Sequence, residues 1–307
     1  MRVEGPAVMK TTSGLRATGV LAVACLLLLA PSVFAQEVKV MTSGAFTAAL
    51  LEVVPQFERT SQHKVVTAFG ASMGNAPDSI PQRLDRGEPV DVVILASTAL
   101  DDLIKQGRVV RGTRVDLARS AIGMVVRAGA PKPDISSVDA LRRTLLQAKS
   151  IAYSASASGV YVSTELFQRL GIAGDVKGKS KRIESERVGA VVARGEAELG
   201  FQQISELLPV PGIDYVGPLP RDVQRITVFS AGIAAAARNP ESARALITFL
   251  ASPSVAPAIR KTGLEPIVPK TRTSSSARRG SERRPPGDIR STSFDVLSAR
   301  AMRRTRL

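Results

Sequence analysis

Residues 38–72 read VKVMTSGAFTAALLEVVPQFERTSQHKVVTAFGAS, and this stretch decides the fold. The β-branched run Val38 to Thr42 predicts a strand that ends in the small-residue turn Ser43-Gly44-Ala45. Apolar residues then recur with helical period, and Phe46, Ala49, Leu50, Val53, Val54 and Phe57 fall on one face of a helix predicted over residues 46–59. Val65 to Phe69 is a second strand, closed by Gly70-Ala71-Ser72-Met73-Gly74. Strand, Gly/Ser turn, helix, strand is the repeating unit of an α/β fold, which gathers ligands at the ends of its strands.

The unit repeats outward from there. A helix over 77–86, a strand over 91–95 and a helix over 98–106 complete three successive βα units, and the basic stretch from Arg111 to Arg119 reads as a loop. Apolar strands at 121–126 and 226–233 bracket a further α/β set: helices at 138–148, 160–170 and 188–194, with strands at 150–153, 199–203 and 213–216. This order fits a lobe inserted into another through two crossing hinge segments, with mostly parallel strands. Lobe 1 is assigned residues 36–118 and 226–268 and lobe 2 residues 119–225; helices at 240–250 and 254–261 close the chain back onto lobe 1.

At the N-terminus, Lys10 and Arg16 precede an apolar run from Val20 to Ala30 that is short for a bilayer span and is followed by Pro31. Val33-Phe34-Ala35 places small residues where a signal peptidase reads, so residues 1–35 are expected to be a signal peptide cleaved after Ala35, and the mature protein to be periplasmic. Cys25, the single cysteine, lies within that run, so the mature chain forms no disulfide and relies on a packed core.

The formal charge of +15 is distributed unevenly: the leader carries a net +2 and residues 270–307 a net +8, leaving +5 on the body. Residues 269–307, which include SSSARRGSERRPPGD, lack apolar periodicity and are read as a disordered basic tail. For an exported chain these charges do not indicate nucleic acid as a partner. A small anion is the partner the body favours, and a monomer is expected.

Three Ser/Gly turns open helices at strand ends: Ser43-Gly44-Ala45, Gly70 to Gly74, and Ser154 to Gly159. A helix N-terminus offers free N–H groups and partial positive charge, a ready site for an anion; the alternative role is simple helix capping. Gly70-Ala71-Ser72-Met73-Gly74 also matches the G-x-S-x-G nucleophile elbow of serine hydrolases. That chemistry needs a histidine after the serine, and the one histidine, His63, precedes it in a predicted surface loop. Neither clustered metal ligands nor a nucleotide motif appears, so no metal and no cofactor is expected.

The chain resembles the periplasmic substrate-binding proteins of molybdate-type ABC transporters. The resemblance rests on the opening stretch, on RLDRGEPVDVVILAS (83–97), SGVYVSTELFQRLGI (158–172) and VVARGEAELGFQQISEL (191–207), and on the ending KTGLEPI (261–267). It implies a two-lobed fold that closes over an oxyanion held by hydroxyls and amides without a counter-charge, a membrane permease as partner, and no catalysis. Carried onto this sequence, it nominates Ser43, Gly44, Ala45, Ser72, Met73, Ser156, Ser158, Gly159, Tyr161 and Gln203 as ligand-binding. Two of these depart from the molybdate pattern: Ala45 stands where a serine is usual, and Gln203 where a tyrosine is usual. These departures make a small carboxylate the alternative to a molybdate-like oxyanion.

Overall fold

The computed structural model describes residues 36–268 together with Met1, Arg2 and Gly5; the apolar run of the expected leader, its cleavage point and the expected basic tail lie outside the described residues. In chain order the elements are β1 (Glu37–Ser43), α1 (Gly44–Ser61), β2 (Lys64–Gly70), α2 (Ile80–Asp85), β3 (Val92–Ala96), α3 (Ser97–Lys105) and β4 (Val115–Ser120). The chain then leaves the first sheet for β5 (Ile122–Arg127), α4 (Val138–Gln147), β6 (Ile151–Ser154) and α5 (Ala157–Tyr161). Helix α5 continues through one π turn (Val162–Leu166) into a last α turn (Phe167–Arg169). Next come α6 (Ala173–Lys177), β7 (Ser180–Ile183), α7 (Val188–Ala193), β8 (Leu199–Gln203), α8 (Ile204–Leu207) and β9 (Ile213–Pro218). The return is made by β10 (Thr227–Ile233), α9 (Pro240–Leu250), α10 (Ala256–Lys261) and β11 (Glu265–Pro266).

Two mixed sheets result, ordered β11-β4-β10-β3-β1-β2 and β7-β6-β8-β5-β9. This is the two-lobed α/β architecture that the resemblance implies. Each lobe has its own core. In the first, Phe46, Leu50, Val53 and Phe57 of α1 pack with Ile94, Phe229 and Leu246. In the second, Met124, Leu141, Leu166 and Phe201 form the centre. Each such side chain contributes about 1.5–3 kcal/mol by leaving water. Asp91, buried, accepts from the backbone N–H of Lys39 at 2.8 Å and from those of Arg238 and Asn239 at 2.8 and 3.2 Å. It thereby ties β1 to the segment leading into α9.

The structure corrects several sequence-based expectations. The sheets are mixed rather than mostly parallel. β1, β2 and β3 run parallel, as do β6, β7 and β8, but β4, β5, β9 and β10 pair antiparallel. The cause is the crossing between lobes, where β4 passes to β5 through Ala121 alone with no helix to reverse the chain. Residues 115–120, expected as a loop, form β4: Leu117, Ala118 and Ser120 are buried, whereas the arginines that disguised the strand point outward or pair with Asp101 and Asp116. β7 was missed because its Ser-Lys-Arg-Ile sequence, at a sheet edge, has no apolar alternation. α2 starts three residues later than expected, at Ile80.

Candidate functional site

The strand ends of the two sheets meet around a cavity of about 390 Å³. From the first lobe it receives Ser43, where β1 turns into α1, and Ser72, after β2; from the second it receives Ser158 in α5, and Gln202, Gln203 and Glu206 from β8 and α8. Ser43 is extended and precedes the first helical residue, yet its hydroxyl caps nothing; its Oγ is buried and has no hydrogen-bond partner. Ser72 Oγ accepts from the Ala96 N–H at 3.0 Å, which leaves its own hydrogen for another acceptor. The hydroxyls of Ser154 and Ser158 lie 3.0 Å apart. Gln203 Nε2 donates to Thr227 Oγ1 at 2.9 Å, while its Oε1 is buried without a partner. A threonine hydroxyl both donates and accepts, so the amide can turn over and present its NH₂ to an anion.

Glu206 sets this cavity apart. It is buried, and Oε1 accepts from Gln202 Nε2 at 3.0 Å. The same oxygen lies so close to Gly44 that a Cβ there would meet it at 2.1 Å, so only glycine admits the carboxyl at the head of α1. Arg187, just before α7, also lines the cavity and favours the ionised form of the Glu206 carboxyl. Neighbouring Glu186 pairs with Arg194 instead, and among the described residues Arg187 has no ion-pair partner. Burial outweighs the attraction of Arg187 and the Gln202 hydrogen bond, and the Glu206 carboxyl is pushed up to about 7.

A consequence for stability follows from the sign of this shift. Above pH 7 the folded protein must keep a buried charge that the unfolded chain exposes. As pH falls from there towards 4.5, the folded state takes up a proton the unfolded state lacks, and stability rises. At about 1.4 kcal/mol per pH unit, the gain is about 3 kcal/mol. Urea unfolding of wild type and Glu206→Gln between about pH 5 and 8.5 should show wild type losing stability relative to the variant as pH rises. Parallel curves would contradict the shift.

Of the residues nominated from the sequence, Ser43, Gly44, Ala45, Ser72, Ser156, Ser158 and Gln203 line the cavity. The other three are placed elsewhere. Met73 packs against the apolar clusters of the first lobe. Gly159 lies where α5 presses on β6, and a Cβ there would fall 1.6 Å from the Ser154 carbonyl oxygen. Tyr161 belongs to the second core, with its hydroxyl donating to the Val223 carbonyl at 2.7 Å. His63 follows the C-terminal end of α1 against Phe57. The seven-residue strand β2, roughly 23 Å long, separates it from Ser72. Glu206, Gln202 and Arg187 were not nominated. The available signal was a carboxylate set within the otherwise apolar or small run Ile204-Ser205-Glu206-Leu207-Leu208, where the periodicity demands burial.

Comparison with known proteins places this arrangement. A family model described as bacterial extracellular solute-binding protein matches residues 38–265. The chain belongs to this family. Its relatives include the molybdate-binding protein ModA of Azotobacter vinelandii, 28% identical over 252 residues that cover 77% of this chain and 92% of ModA. The solved periplasmic molybdate-binding protein of A. vinelandii shares the fold, with a TM-score of 0.57 at 21% identity over 76% of this chain and 100% of that one. This solute-binding protein is thus similar in sequence and in fold to molybdate-binding proteins. A relative from Pseudomonas sp. is 48% identical over 247 residues, covering 80% of this chain and 94% of its own length, and is named aconitate isomerase. That relative is an enzyme by name, and it overturns the expectation that a chain of this kind catalyses nothing.

Proposed function

We propose that this protein interconverts the geometric isomers of a small unsaturated tricarboxylate of the aconitate kind, by moving one proton along the allylic carbons of a molecule held between the lobes. The observation that carries this reading is Glu206, a buried carboxyl on the cavity wall whose affinity for a proton matches neutral pH. A general base works best when its pKa lies near the working pH.

The chemistry balances without a cofactor. The methylene of aconitate is both allylic and α to a carboxylate. Glu206 as carboxylate takes a proton from it, and the electron pair spreads through the conjugated system onto a carboxylate. The double bond is then free to re-form between the former methylene and the central carbon. Return of the same proton to the other end of the allyl unit gives the isomer and restores Glu206. Charge that develops on the substrate carboxylates is met by Arg187, by the unpartnered Ser43 hydroxyl and by the N–H groups heading α1 and α5. A cavity of about 390 Å³ also suits a tricarboxylate better than a tetrahedral oxyanion, which would fill only a small part of it. The high identity to a relative named for aconitate isomerisation supports the choice of substrate class.

The full chain should convert trans-aconitate to a mixture with the cis form near neutral pH, followed by proton NMR of the vinyl signals. In D₂O, deuterium should enter the methylene position as proton return competes with exchange. Protection from thermal unfolding by molybdate, with neither protection by nor turnover of either aconitate isomer, would sink the proposal.

A further inference from the structure

Gln202 is buried, and its amide has one possible orientation. Its Oε1 accepts from the backbone N–H of Val188 at 2.9 Å, and a backbone N–H can only donate. The amide NH₂ is therefore committed to the other side, where Nε2 donates to Glu206 Oε1 at 3.0 Å. An amide N–H in turn has nothing with which to accept a proton. When Glu206 is neutral, its hydrogen is accordingly excluded from the Oε1 side that faces Gln202, where it would point at another hydrogen. Oε1 also lies against Gly44, where a Cβ would fall 2.1 Å from it. The second oxygen, Oε2, makes no hydrogen bond among the described residues, although Glu206 lines the cavity.

We infer that Gln202 is the positioning residue of the acid–base centre: it holds Glu206 by Oε1 so that Oε2 alone takes up and returns the substrate proton. This rests on the reading of Glu206 as that centre. The arrangement confines proton removal and return to one atom, as a shift between two carbons of one bound molecule requires. Gln202 acts through Glu206 and has no part in anchoring the substrate carboxylates. Among charged groups on the elements packed around the carboxyl, Arg187 at the head of α7 faces it; α1 presents Gly44 and its N-terminal amides, and β8 presents Gln202 and Gln203.

Gln202→Glu tests this. The new carboxylate keeps an acceptor for Val188 but places a second acid against Glu206 Oε1, so the two compete for one proton. The acidic limb of the kcat profile should move up by about 1–2 pH units, because a like charge at this range raises a carboxyl pKa. At neutral pH kcat should fall by about 10–100-fold, with KM within about twofold. Gln202→Met removes the donor without adding charge and should move the limb the same way by a smaller amount; it serves where Gln202→Glu does not fold. A raised KM with an unmoved limb would overturn the inference, since Gln202 would then be a substrate contact.

A second readout does not depend on turnover. Infrared difference titration of the full chain, with Glu206→Gln as the subtraction reference, follows the Glu206 carboxyl directly. If the wild type does not isomerise aconitate but its Glu206 titration midpoint rises in either variant, the positioning role stands and the substrate reading falls. If the midpoint is the same in all three proteins, the positioning role falls whatever the substrate.

Discussion

Glu206→Gln should lower kcat for aconitate interconversion by about 10²–10⁴-fold and leave KM within about threefold. Glutamine keeps the shape of the side chain and can present its carbonyl oxygen to Gln202 Nε2, so the contact at 3.0 Å survives. What is lost is the atom that accepts the proton. Circular dichroism and ligand-induced thermal shift should be like those of the wild type, which separates loss of chemistry from loss of fold. In D₂O the variant should leave the substrate methylene unlabelled, because no group takes its proton. A variant that retains wild-type kcat would show that another group does this work. The other carboxylates lining the cavity are Glu184 and Glu186, which pair with Arg182 and Arg194, and Asp78, which accepts from Ser185 Oγ at 3.2 Å. All three are exposed, so none shares the burial that raises the proton affinity of Glu206.

Arg187→Met should raise KM for aconitate by about 10–100-fold, the scale of a lost hydrogen-bonded contact to a charged group. Arg187 is only partly exposed and has no ion-pair partner among the described residues, so truncation breaks no salt bridge. Its absence should also move the acidic limb of the kcat profile upward, since Arg187 holds the Glu206 carboxyl down. Arg187→Lys keeps the charge but not the planar fork and should fall between the two. Steady-state kinetics across pH separates these effects; unchanged KM would place the substrate carboxylates elsewhere in the cavity. This residue also marks the departure from an oxyanion site held by hydroxyls and amides alone. A tetrahedral oxyanion gains from neutral donors on every side, whereas an extended tricarboxylate brings more charge than hydroxyls can meet.

Local sequence determined the architecture because the periodicities of α1, β1 and β3 are strong and coincide with burial: Phe46, Leu50 and Val53 turn inward along the helix, and Val92 to Ala96 are apolar throughout because both faces of that strand are covered. The Ser/Gly turns were equally legible, since a turn that opens a helix needs small residues whatever else it does, and Ser43, Ser72 and Ser158 do lie around one cavity. The strand at 115–120 was not legible, because its charged residues face outward and pair there, Asp116 with Arg114 just before the strand and Arg119 with Glu265.

Which group would do the chemistry is decided by tertiary structure alone. Glu206, Gln202 and Gly44 are ordinary residues in sequence, and the stretch FQQISEL carries the family likeness without marking which of its polar groups does chemistry. A carboxyl changes its proton affinity through what surrounds it. Here the surroundings are the head of α1, a missing Cβ at Gly44, an amide fixed by Val188, and the guanidinium of Arg187. Those groups are separated by up to 162 positions along the chain, from Gly44 to Glu206, and no spacing rule reaches across the two crossings that bring them together. The sequence by itself determined two lobes, their cores and the Ser/Gly turns that line the cavity. Only the folded chain decided that one of the groups at that meeting point is a buried acid, because burial is a property of the assembled lobes and not of the residue.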